Sequence, residues 1–224
     1  MYTSIHELQV LNRLDDRRKF NAAFTQIVIQ LLGLVIKMNC QFKVVTFYEF
    51  KNIGSLADLS KSLKDYCRSK QLFGSIIIAA EGINGTLAGL PESIDELICY
   101  LKALNFYDLN AKYSKTAKMP FYRNKIKIKR EIVTFLKKPI KTDNDRAFSI
   151  DPGEWNELIT RPDVVTIDVR NDYETKIGSF ENAVLPKMSS FVEFKKYIDE
   201  ELAWDKKKKI AMYCTGGIRC EKAS

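Results

Sequence analysis

Between Gln41 and Phe135 the spacing of apolar residues switches from alternate to helical and back, and the order of those switches limits the fold more than any other feature of the chain. Lys43–Phe50, KVVTFYEF, alternates β-branched and aromatic residues as a strand does. Ser55 then offers a helix N-cap, with Leu56, Leu59, Leu63 and Tyr66 at helical spacing through Gln71. Gly74 opens a second strand, Ser75–Ala80, whose apolar run predicts a central place in a sheet. The Gly and Asn content of Glu81-Gly82-Ile83-Asn84-Gly85-Thr86 predicts a turn, with a short strand beyond it at Thr86–Ala88. Pro91 suits the first turn of a helix running to about Leu104, and strands follow at Asn110–Ser114 and Ile126–Phe135.

Strand, helix, strand, strand, helix, strand is the order of a ferredoxin-like α+β sandwich, here spanning residues 41–145. Beyond the polar connection Lys141–Arg146, Asp151-Pro152 starts a short helix and Val164–Val169 is a buried strand. A helix over about Ser190–Leu202 and a strand at Ile210–Tyr213 complete an alternation that predicts an α/β domain with a parallel sheet over residues 146–224. Residues 1–40 form an N-terminal extension expected to be helical, and Met38 is an equally good start of translation. Its apolar stretch Phe20–Ile36 is interrupted by Asn21, Thr25, Gln26 and Gln30, and its 17 residues fall short of the ~20 a membrane span needs. No stable membrane partner is therefore expected. Five cysteines make an odd set without the density of a disulfide scaffold, which points to a cytoplasmic chain with free, catalytic or buried thiols. With His6 the only histidine, a His-rich metal site is excluded, and no metal cluster, flavin motif or Gly-rich dinucleotide loop is visible.

The chemistry concentrates at Cys214-Thr215-Gly216-Gly217-Ile218-Arg219-Cys220, between an apolar strand and the incipient helix Glu221–Ser224. Two glycines let successive backbone N–H groups turn inward, and the start of a helix adds positive partial charge, so a thiolate is favoured at Cys214. Arg219 adds a cation beside it. A buried structural cysteine before a Gly-rich turn is the alternative, but strand, thiol, double glycine, arginine and helix coincide here. Cysteine phosphatases place the arginine six positions after the nucleophile; here it lies five positions on, so phosphatase chemistry is disfavoured. A helix of four residues cannot persist unsupported, and a chain ending at Ser224 looks cut just after its active loop.

The shorter loop resembles that of rhodaneses, as do Asp168-Val169-Arg170, Tyr173-Glu174 and Gly178-Ser179-Phe180-Glu181-Asn182-Ala183, with Ser179 where that motif has histidine. Asp168 and Arg170 read better as an ion pair orienting the site than as catalysts. Ala79-Ala80-Glu81-Gly82-Ile83-Asn84 in the first domain, combined with Tyr213–Ser224 in the second, is similar to the bacterial tRNA uridine hydroxylases of the rhodanese superfamily. That resemblance, covering about Lys43 to Ser224, implies oxygen-dependent formation of 5-hydroxyuridine at the wobble position of tRNA. It also implies Cys214 as the active-site cysteine, Cys220 as a second loop thiol, molecular oxygen as co-substrate and an electron donor that the sequence leaves unnamed. A thiosulfate-type sulfurtransferase working through a persulfide, and an inactive RNA-binding fragment, are the competing readings.

Charge points to RNA independently. The chain carries +8, yet Lys112–Lys141 alone holds eleven Lys or Arg against the single acid Glu131, a segment of +10 on a remainder of −2. Arg123, Lys125, Lys127, Lys129 and Arg130, with Tyr122 interleaved, are candidates for phosphate contact and base stacking in an anticodon loop. Alternation puts Lys125, Lys127 and Lys129 on one strand face; a solvated strand face is the bland alternative. Glu81 and Asn84 at a strand end either recognise a uracil edge or shape the turn.

Overall fold

The computed structural model describes residues 42–136, 148–200 and 208–224. The readings of residues 1–41, of the connection 141–146 and of the end of the helix near Leu202 lie wholly or largely outside them. The first unit runs β1 (Phe42–Phe50), α1 (Leu56–Ser69), β2 (Phe73–Ala79), β3 (Gly82–Gly89), α2 (Pro91–Ala103), β4 (Asn110–Thr116) and β5 (Asn124–Ile128). Its sheet order is β4-β1-β3-β2-β5. The neighbours of β1 and β3 run antiparallel, and β5 adds a parallel strand beside β2. This is the expected sandwich, with the strand read from Ile126 onward as its fifth, β5, beside β2. Alternate residues of the central strands, Val45, Phe47, Ile76, Ile78 and Leu87, meet Leu63, Leu97 and Leu101 of the two helices in a closed core. Ser55 caps α1 by accepting from the Asp58 amide, as expected.

Two expectations about this unit are corrected. The segment from Gly82 to Thr86 is strand rather than turn; only Ala80 and Glu81 lie between β2 and β3. Gly82 sits at φ +149 with the Glu49 carbonyl 2.1 Å from where a Cβ would stand, so its glycine serves close strand approach. The last strand stops at Ile128 instead of continuing to Phe135. Past it the chain crosses to the second unit, where Phe135 stacks on Phe191 with ring centroids 4.7 Å apart.

The second unit holds α3 (Pro152–Leu158), β6 (Val164–Asp168), α4 (Asp172–Thr175), α5 (Glu193–Glu200), β7 (Lys209–Tyr213) and α6 (Ile218–Ala223). Asp151 caps α3 through the Gly153 and Glu154 amides. β6 and β7 pair in parallel from Val164↔Lys209 to Asp168↔Tyr213, and Val184 adds a parallel bridge to Ile167. Phe135, Ile167, Val169, Met188, Phe191 and Phe194 form the core of this unit.

The two units share a buried seam. Tyr48, Phe50, Ala79 and Ile132 pack together with Ile218 of α6 against them. Beside this cluster the Lys222 ammonium lies 2.5 Å from Glu81 Oε2 and 3.1 Å from Glu131 Oε1, all three side chains at or near zero exposure. The carboxylates also accept backbone amides: Ile132 N gives to Glu81 Oε1 at 2.9 Å, Phe135 N to Glu131 Oε2 at 3.2 Å, and Leu136 N at 3.1 Å to the Glu131 Oε1 that faces Lys222. Satisfied in this way, the buried charges hold α6 on the first unit. That anchorage is the support a six-residue helix lacks on its own.

Candidate active site at the cysteine loop

Cys214 follows β7 directly, and the chain reverses over Thr215-Gly216-Gly217 before α6 begins at Ile218. The reversal depends on Gly217, at φ 93 and ψ −33, where any Cβ would stand 2.8 Å from the Tyr48 hydroxyl. With the backbone so folded, Gly217 N–H points at Cys214 Sγ, 3.0 Å away. The Cys220 thiol donates to the same sulfur, as do the amides of Cys220, Gly216 and Arg219. These donors outweigh burial and pull the Cys214 thiol down from 9.0 to about 5. Cys220 moves the other way: its hydrogen bond to Cys214 and its own burial keep it a neutral thiol. At neutral pH the loop therefore holds one thiolate and one thiol donating to it.

Arg219 is not free to cradle an anion. Its guanidinium forms a two-pronged pair with Glu174, Nη1 to Oε2 at 2.6 Å and Nη2 to Oε1 at 2.7 Å, and reaches Thr215 Oγ1 at 3.2 Å. Thr215 Oγ1 also bonds Glu174. Hydrogen bonding from Arg219 lowers the Glu174 carboxyl to about 2 against its partial burial, so the clamp is ionised across the working pH range. Glu174 ties α4 to the loop. It stood in the sequence only as the acid of a motif, with nothing local to reveal its partner.

Asp168, at the end of β6 and fully buried, accepts from Arg170 Nε at 2.9 and 3.1 Å and from its Nη2 at 2.6 Å. Burial would raise the Asp168 carboxyl, but hydrogen bonds from Arg170 and Tyr213 hold it below its usual value. Arg170 in turn donates to the Gly178 carbonyl at 2.6 Å, and Phe180 N donates to the Tyr213 hydroxyl at 3.2 Å. The pair thus ties the end of β6 to the loop around Ser179 beside the cysteine. Between that loop and Cys214 opens a cavity of about 460 Å³, lined by Arg170, Ser179, Phe180, Tyr213, Cys214 and Thr215. A nucleophilic sulfur at one wall and aromatic rings at another suit a flat, unsaturated ring as the reacting partner.

The other sequence candidates lie apart from the thiol. Glu81 is buried at the seam and spent on Lys222 and Ile132 N, and Asn84 Nδ2 donates to the Ile132 carbonyl at 3.0 Å, so their role is structural and the uracil-edge reading is dropped. Lys125 and Lys127 project from β5 opposite the buried Ile126; Lys129 and Arg130 follow, all exposed. Tyr122 is 90% exposed beside Arg123. Among the described residues no group of His, Cys, Asp or Glu is arranged to hold a metal ion, and no helix is long and apolar enough to cross a membrane. Tyr48 and Glu131 escaped the sequence reading of the site because they lie far from the loop along the chain, and Lys222, just after the loop, because its partners Glu81 and Glu131 do.

Residues 42–132 match the UPF0176 acylphosphatase like domain. The chain is 47% identical over 189 residues to a tRNA uridine(34) hydroxylase of Nitrobacter winogradskyi, a match covering 81% of this chain and 73% of that protein. Proteins of the same name from Acinetobacter baylyi and Acinetobacter baumannii are 44% and 47% identical over 88% of this chain, which spans 62% of their length. Among solved structures, an acylphosphatase from Coxiella burnetii overlaps 41% of this chain and 96% of its own, with 13% identity and a TM-score of 0.29. By its identity to the Nitrobacter protein over 73% of that protein's length, the chain belongs to the tRNA uridine(34) hydroxylase family.

Proposed function

We propose that the chain hydroxylates uridine 34 of tRNA to 5-hydroxyuridine, with Cys214 as the nucleophile of a rhodanese-like second domain. The observation that carries this is the Cys214 thiolate, held by loop donors and facing a cavity with an aromatic wall. Carbon 5 of uracil is a poor nucleophile until a nucleophile adds at carbon 6. A thiolate of lowered pKa is suited to that addition, which leaves an enolate whose carbon 5 attacks an electrophilic oxygen. Loss of the carbon-5 proton with expulsion of the thiolate then restores the ring. One atom of molecular oxygen enters the base and the other leaves as water, consuming two electrons and two protons from a donor. Arg219, clamped by Glu174, stiffens the loop, and Asp168 with Arg170 holds the opposite wall.

The test is complementation of a bacterial strain lacking its own enzyme, with nucleoside mass spectrometry of its tRNA. The expected result is restored 5-hydroxyuridine with the unaltered chain and none with Cys214→Ser. Thiocyanate release from thiosulfate and cyanide without any hydroxylated base would replace this reading with sulfur transfer.

A further inference from the structure

The helices α1 and α2 cover one face of the five-stranded sheet. On the other face, α6 and the segment at Ile132 close one end, over Tyr48, Phe50 and Ala79. The rest of that face carries rows of side chains that run across all five strands. One row is Lys112, Thr46, Thr86, Ser75 and Lys125, set side by side by the strand register. Four of the five are exposed, and Thr46 Oγ1 and Thr86 Oγ1 hydrogen-bond at 3.1 Å. The next row is Asn110, Tyr48, Asn84, Ile77 and Lys127. Neither row contains an acid, and cations stand at the ends of the first, roughly 19 Å apart for four strand spacings.

Each border of this face has a further feature. Beyond β5, Phe121, Tyr122, Arg123, Ser75 and Lys125 line a cavity of about 370 Å³, with the Tyr122 ring almost wholly in solvent. Toward the seam, the Tyr48 hydroxyl accepts from Asn110 Nδ2 at 3.2 Å and stands against Gly217 of the cysteine loop. Cations spaced along hydroxyls and amides fit a polyanion, and an exposed aromatic cavity among them fits bases that are not already stacked in a duplex.

We infer that this open sheet face is a platform for single-stranded RNA. Lys112, Lys125 and Lys127 meet its phosphates, the Phe121–Tyr122 cavity takes a base, and the strand's path leads over Tyr48 to the Cys214 loop. The inference rests on RNA being the substrate, and it adds Thr46, Ser75, Thr86 and Lys112 to the basic strand as parts of the interface.

The test is fluorescence anisotropy of a labelled anticodon stem-loop RNA with the full chain over a range of salt. Thr46→Glu and Ser75→Glu, both at exposed positions, are expected to weaken binding about tenfold or more through phosphate repulsion. Lys112→Glu with Lys125→Glu should in addition flatten the log–log salt dependence by about 1.4 for two lost phosphate contacts. Lys61→Glu on α1 and Lys102→Glu on α2, exposed on the helical layer, should change binding by less than about twofold. Equal binding by the face variants and the unaltered chain overturns the platform, as does equal weakening by the helix variants. Absence of RNA binding overturns it, and so does competition by polyglutamate as effective as by unlabelled RNA. Because 5-hydroxyuridine formation by the unaltered chain is read separately by nucleoside mass spectrometry, a failed platform and a failed hydroxylase reading give different results.

Discussion

Cys214 owes its ionisation to hydrogen bonds more than to the cation beside it. Arg219 is neutralised by Glu174, while the Cys220 thiol and the loop amides converge on the sulfur. The consequence is a reactive thiol well below neutral pH. Iodoacetamide modification followed by peptide mapping should give a rate at Cys214 that rises through a midpoint near pH 5, against 9.0 for an ordinary thiol. Cys67, pushed up to about 11 by burial, should stay unmodified over that range. The same shift favours the folded chain. The folded-state value lies below the ordinary one, so the stabilisation is complete above about pH 9 and fades as the pH falls through 5. A midpoint near 9 would mean that the donors around the sulfur are not engaged in solution.

The segment from Lys129 to Leu136 joins the units, and its use of side chains differs from a strand's. Ile132 enters the seam, Glu131 takes the Lys222 ammonium, and Phe135 lies between Phe191 and Phe194 in the second core. Phe135→Ala removes a buried ring and should cost about 3–5 kcal/mol, read as an earlier urea midpoint of the second unit. Periodicity alone could not find this crossing, because IKIKREIVTF carries alternation and β-branching well past the point where pairing stops. Elements whose period matched their pairing were legible: β1, α1, α2, β6 and β7 lie within a few residues of the positions read from sequence. β3 was misread for the opposite reason. Its glycines signal turns when taken locally, yet Gly82 lets β1 approach and Gly85 makes room for the Phe47 ring, 2.6 Å from where a Cβ would be. At the site, the loop from Cys214 to Cys220 was legible because its parts are contiguous. The clamp from Glu174 spans 45 residues and the Lys222 anchorage 141, separations at which one sequence carries no pairing signal.

Glu131 and Ile132, inside the basic segment, and the helix after the cysteine loop meet along one seam, and Lys222 fastens it. Replacing the lysine by methionine takes the ammonium away from two buried carboxylates. Removing one partner of such a buried group costs about 3–5 kcal/mol. The loss should fall on the connection between the units more than on either core, since Phe47 and Phe194 with their neighbours are untouched. Both tryptophans, Trp155 and Trp204, lie in the second half of the chain, so tryptophan fluorescence follows that half alone. Amide exchange in β1 and β3 follows the first. In the unaltered chain the two probes should report one urea transition; in Lys222→Met the fluorescence transition should come first and the exchange-protected core of the first unit should outlast it. The freed α6 no longer holds the Gly217 amide on the sulfur, so the alkylation midpoint of Cys214 should rise in the same variant before either unit unfolds. Coincident transitions and an unmoved midpoint in Lys222→Met would show that the seam is held by Tyr48, Ile132 and Ile218 alone.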